Sequence, residues 1–173
     1  LNSTNKNENE NDSAMIENCN VGSKNLIGRN FLETSVQLAI ESGIIICSYN
    51  TTGKSKWKVH LGPLDGSVAP DTLIIYRYIL LKLSEQYNIE VTLNPILEDN
   101  VKMFCHINYS TKDMRQEGTG IDIIKKTIAN LEKTHIEDVK HYGKLDIDIH
   151  NTFSSGVSDR NVSVRISTET EKN

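Results

Sequence analysis

From Pro70 to Leu83 the chain reads Pro-Asp-Thr-Leu-Ile-Ile-Tyr-Arg-Tyr-Ile-Leu-Leu-Lys-Leu, and this run constrains the fold more than any other. Proline is tolerated in a first helical turn and Asp71 suits the positive end of the helix dipole, so a helix starts here. Leu73, Ile74, Ile75, Tyr76, Ile79, Leu80, Leu81 and Leu83 cover most of its circumference. That predicts a central helix covered by layers on both sides. A chain of 173 residues is long enough to supply those layers within one domain.

The neighbouring segments read as the layers. Phe31, Leu32, Val36, Ala39 and Ile40 recur at helical spacing from Arg29 to Ser42, and Gly43 stands where a helix stops. Ile44 to Cys47 reads as a buried strand and Trp57 to Leu61 as a half-buried one, with Asn50 to Lys56 as the hairpin loop between them. Ile89 to Leu93 alternates as a further strand, and Ile121, Ile124, Ile128 and Leu131 mark a third helix that follows a Gly118-x-Gly120 break and runs to about Thr134. Leu145 to Ile149 alternates, and Val162 to Ile166 reads as a last strand. Short connections favour antiparallel pairing. The expected fold is α+β, an antiparallel sheet backed by two or three helices. Residues 1–20 are Asn-rich and nearly devoid of apolar side chains, which predicts a disordered tail, with the domain over 21–166 and a polar tail over 167–173.

One stretch carries candidate chemistry. In Phe104-Cys105-His106-Ile107-Asn108-Tyr109-Ser110, a strand would set His106, Asn108 and Ser110 on one face and Cys105, Ile107 and Tyr109 on the other. An imidazole, a carboxamide and a hydroxyl about 7 Å apart could hold a metal-bound anion or a nucleotide. The same alternation also describes an ordinary half-exposed strand.

A formal charge of -4 excludes general attraction for nucleic acid or acidic membranes. No apolar run is long enough to span a membrane. Cys19, Cys47 and Cys105 are odd in number and lack CxxC spacing, which argues against a disulfide framework or zinc site and for a reducing, cytoplasmic location.

Three segments, in order, resemble the catalytic domain of glutamine synthetase, specifically its eukaryotic-type class. The first joins Gly28-Arg29 and the helix after it to Trp57 through Gly62-Pro63, Asp71 and Arg77. The second, His106-Ile107-Asn108-Tyr109-Ser110-Thr111-Lys112-Asp113-Met114-Arg115, is similar to the family's His-Thr-Asn-(Phe/Tyr)-Ser-Thr-(Lys/Glu)-x-Met-Arg. The third, Phe153 to Ile166, is similar to Phe-Ser-x-Gly-Val-Ala-Asn-Arg-x-x-Ser-(Ile/Val)-Arg-(Ile/Val). The resemblance implies an incomplete catalytic-domain fold from a family that uses ATP and Mg²⁺ or Mn²⁺ to join glutamate and ammonia. It implies His106 as a metal ligand, Asn108, Ser110 and Arg165 near the nucleotide, and Arg160 near glutamate. It also implies a homo-oligomer or co-assembly with a related subunit.

The chain departs from that family at the acidic positions. Family members place one metal-binding glutamate soon after the first strand and another directly after the tryptophan; here stand Asn50-Thr51-Thr52-Gly53 and Lys58. The family's glycine-rich loop before the histidine is replaced by Ile96 to Phe104, which has no glycine. No glutamate lies between Lys144 and Thr152, where the family's catalytic flap belongs, and Asp146 and Asp148 are the available substitutes. The expected protein is therefore degenerate, with a divergent active ligase completed by other subunits or missing segments as the alternative.

Overall fold

A computed structural model describes residues 26–51, 55–94, 105–141 and 152–172. The chain divides into two compact units, Leu1–Met103 and Phe104–Asn173. The expected tail over 1–20 and the alternating stretch 145–149 lie outside the described residues.

In the first unit, helix α1 spans Arg29–Glu41 and buries Phe31, Leu32, Ser35, Val36 and Ala39 on one face. It ends as the glycine predicts. Gly43 takes φ +83°, its N–H donates to the Ile40 carbonyl at 3.0 Å, and Ile44 N–H donates to the Ala39 carbonyl at 2.9 Å. This pair of bonds satisfies two carbonyls at the helix end and turns Ile44 back onto Ala39, so the stop signal also builds core.

Strands β1 (Ile46–Thr51) and β2 (Trp57–Leu61) pair antiparallel, with Ile46 opposite Leu61 and Ser48 opposite His60. Cys47 is the extra residue of a bulge. It shifts the phase of β1, so that Ile46 joins Val59 and Leu61 against the core while Ser48 and Asn50 share the other face with His60 and Lys58.

Helix α2 spans Val68–Tyr87, starting two residues before the expected Pro70. Only Thr72, Tyr76 and Leu83 are buried, whereas Ile74 is 65% exposed and Tyr78 66%. The expectation of cover on both sides is thus corrected: the described residues bury only the face that meets α1 and the hairpin. At its inner face Ser35 and Tyr76 are hydrogen-bonded at 3.1 Å, and the Ser35 hydroxyl also donates to the Leu32 carbonyl at 2.7 Å. Tyr76 is therefore the donor to Ser35. Burial pushes the Tyr76 phenol above its ordinary value of 10.0. A phenol whose folded pKa lies above its unfolded one contributes stability that is complete below about pH 10 and is lost as pH rises through the folded value. Tyr76→Phe should cost about 1 kcal/mol at neutral pH and flatten the alkaline fall, read from urea midpoints between pH 7 and 11.

In the second unit a 3-10 turn (Asp113–Arg115) leads into α3 (Gly120–Lys140), which runs six residues past the expected end. Strands β3 (Ser155–Val157) and β4 (Val164–Ile166) are followed by α4 (Thr168–Lys172), within the expected polar tail. β3 and β4 pair parallel, against the antiparallel expectation. Just after β3, Ser158 adopts φ +53°, and the loop folds over Gly156, where a Cβ would lie 3.3 Å from the Asp159 Cβ.

Two expected strands do not form. Among the described residues, 89–93 and 105–110 are not assigned to a strand, and all of 105–110 is exposed, with Ile107 at 85%. Their alternation describes a chain that could pair, and pairing also requires an edge to accept the backbone groups. The architecture remains α+β, with a small antiparallel hairpin packed on helices.

Candidate functional site

His106, Asn108 and Ser110 lie along the extended segment that precedes the 3-10 turn, and their side chains are solvent-facing. Ser110 is fixed by the turn. Arg115 Nη1 donates to the Ser110 Oγ at 2.8 Å and to its carbonyl at 3.2 Å. Inside that clamp, Met114 N–H donates to the Thr111 Oγ1 at 3.2 Å while Thr111 N–H donates to the Met114 Sδ at 3.4 Å. This is the reciprocal logic of a capping box, with a thioether as the returning acceptor. The Ser-Thr-x-x-Met-Arg pattern thus encodes a wired turn.

That turn is pressed against α3. Gly120 N–H donates to the Gln116 carbonyl at 2.9 Å, and a Cβ on Gly120 would sit 2.4 Å from the Met114 carbonyl oxygen. Tyr109, Ser110, Arg115 and Gln116 are among the residues that line a cleft of about 630 Å³, together with Ile121 and Ile124 of α3 and Thr170 of α4. Of the expected site residues, Ser110 alone lines this cleft. Arg115, the group that orients Ser110, is legible only as the last residue of the motif.

Arg160 and Arg165 come from the β3–β4 unit. Asn161 N–H donates to the Asp159 Oδ1 at 2.8 Å, which shapes the loop that carries Arg160. Val164 N–H donates to the Ser154 carbonyl at 3.0 Å and Ser158 N–H to the Ile166 carbonyl at 2.8 Å, so both ends of β4 are tied to β3. Arg165, at the centre of β4 opposite Gly156, is exposed, as is Arg160. The ion pairs among the described residues are Arg29–Glu33, Lys82–Glu85 and Lys140–Glu137, so neither arginine is committed to a carboxylate there. Two open guanidinium forks on a braced loop and strand suit carboxylate or phosphate groups.

In the first unit, Trp57 Nε1 donates to the Ile27 carbonyl at 2.9 Å and the Arg29 guanidinium lies 5.5 Å from the Trp57 ring centre. Gly28, at φ +79°, leaves room for the indole. The Gly-Arg pair and the tryptophan therefore lock the start of α1 to β2. Beyond that lock, Lys58 and His60 are exposed on the outer face of β2. Among the described residues no three His, Cys, Asp or Glu side chains come together. Mg²⁺ and Mn²⁺ take about six hard ligands, mostly oxygen, so this donor set does not fit either ion.

No family model matches the chain. Among curated proteins it is 36% identical over 167 residues to a glutamine synthetase cytosolic isozyme of Daucus carota, covering 89% of this chain and 47% of that protein. It is 35% identical over 166 residues to a chloroplastic glutamine synthetase of the same plant, covering 38% of it. It is 34% identical over 166 residues to glutamine synthetase cytosolic isozyme 2 of Glycine max, covering 46%. The chain spans about half the length of the curated relatives it matches, or less. Those relatives include both cytosolic and chloroplastic isozymes. No helix among the described residues is long and apolar enough to cross a membrane.

Proposed function

The chain belongs to the glutamine synthetase family as a divergent, partial member, and from that premise we propose that it keeps the family scaffold but has lost ligation of ammonia to glutamate. One observation carries this reading. The positions that should bring acidic metal ligands, at the end of β1 and directly after the tryptophan, read Asn50-Thr51-Thr52-Gly53 and Lys58, and neither β1 nor β2 carries a carboxylate. In the family reaction two dications neutralise charge that develops on the transferred phosphoryl group, a task that needs anionic ligands. An ammonium a few ångströms from a dication would oppose it by several kcal/mol at an effective dielectric of ~20. What the scaffold retains are Arg160 for a carboxylate and Arg165, Asn108 and Ser110 for a nucleotide. His106 would supply a nitrogen donor. The protein would act by assembling with its own kind or a related subunit, in the cytoplasm.

The runner-up is an active ligase completed by other subunits or by further chain, and the partial coverage of the relatives favours keeping it in view. Activity separates the two. With glutamate, ammonia, ATP and Mg²⁺ or Mn²⁺, the chain should release no phosphate coupled to glutamine. Lys58→Glu alone should not restore γ-glutamyl transfer, because the glycine-rich loop and the flap glutamate are missing as well. Measurable transfer by that single variant would overturn the reading.

A further inference from the structure

The hairpin face that lacks carboxylates is not blank. Ser48 and His60 stand directly opposite each other across β1 and β2, with the Ser48 Oγ 2.7 Å from the His60 Nδ1. Lys58 lies two residues before His60 on the same strand face, about 7 Å away along β2, and all three side chains are exposed. Lys58 is in none of the ion pairs among the described residues.

We propose that this face binds a phosphate-type oxyanion directly, without a divalent cation, through Lys58 and the Ser48–His60 pair. The pair offers a donor in either arrangement. If the serine hydroxyl donates to Nδ1, the Nε2–H points outward; if Nδ1–H donates to the serine oxygen, the hydroxyl is free to donate. An imidazolium offers both bonds at once. An oxyanion carries several acceptor oxygens, so one such group can span the ammonium and the second donor. No acidic residue lies on either strand to oppose it. The inference rests on the reading above, in which a cation-binding hairpin has changed sign, and it names what the changed hairpin would take.

The test uses the whole chain, inorganic pyrophosphate as probe and EDTA in excess, with binding followed by isothermal titration and by the His60 ring signals in NMR. The expected result is saturable binding at millimolar pyrophosphate that moves the His60 ring. Lys58→Glu should weaken it at least about tenfold. Ser48→Ala should weaken it less, and Lys82→Glu, on α2, should leave it unchanged. No binding, an unmoved His60 ring, or equal losses from Lys58→Glu and Lys82→Glu would overturn the proposal, the last by revealing diffuse surface charge. These failures are distinct from failure of the proposed function, which catalysed glutamyl transfer or Mn²⁺-dependent stabilisation would cause.

Discussion

Leu32→Ala should cost the first unit about 2–5 kcal/mol, a loss comparable with the whole stability of a unit so small. Leu32 is 3% exposed on the buried face of α1, beside Phe31 and one turn before Val36. Shortening it removes apolar area and leaves a void that neighbours fill only in part. The backbone there cannot retreat freely. Leu32 N–H donates to the Gly28 carbonyl at 2.9 Å and its own carbonyl accepts the Ser35 hydroxyl, which in turn meets Tyr76. Trp57 is the only tryptophan in the chain and sits at the start of β2, so its fluorescence reports this unit during urea unfolding. An unchanged midpoint would mean that the α1 face is not a packed core.

Gly120→Ala should cost about 1–3 kcal/mol in the second unit by overpacking. The new methyl would meet the Met114 carbonyl oxygen at 2.4 Å and its carbon at 2.9 Å, both backbone atoms that no rotamer change can move aside. Relief requires the turn and α3 to separate. That motion would break the Gly120 N–H bond to the Gln116 carbonyl and loosen the Ser110–Arg115 clamp beside it. Amide exchange at residues 115, 116 and 120 should quicken together, and wild-type exchange rates in the variant would contradict this account. Gly118→Ala offers a comparison: nothing lies near its Cβ, and the cost there is the strain of φ +77°.

The helices and the hairpin were legible in sequence because their signals are local. The apolar spacing of α1, the glycine after it and the alternation of Trp57 to Leu61 each decide a structure that the nearest residues complete. What the sequence hid depends on distant partners. Cys105 to Ser110 alternates like a strand, yet no ladder forms on it in the described residues. The apolar circumference of α2 demands cover that only one face receives there. The alternation of Val162 to Ile166 does not distinguish a parallel from an antiparallel partner, and β4 pairs with β3 in parallel. Of the candidate site, the motifs pointed to His106, Asn108, Ser110, Arg160 and Arg165, but the role of Arg115 as a positioning group emerges only from the turn geometry. Reading Thr111 and Met114 as mutual caps likewise needed the fold.

The proposed loss of ligation requires a family scaffold without a place for its cations. Thermal unfolding of the chain with and without millimolar Mn²⁺ and ATP tests it most directly, because a ligand that binds only the folded state raises stability by RT ln(1 + [L]/Kd). An intact site occupied at 100 times its Kd would add about 2.7 kcal/mol, a shift of several degrees. Mn²⁺ should leave the midpoint where it was and add nothing to any shift produced by ATP in EDTA. A midpoint that rises with Mn²⁺, and rises further only when ATP and Mn²⁺ are both present, would contradict the proposed loss.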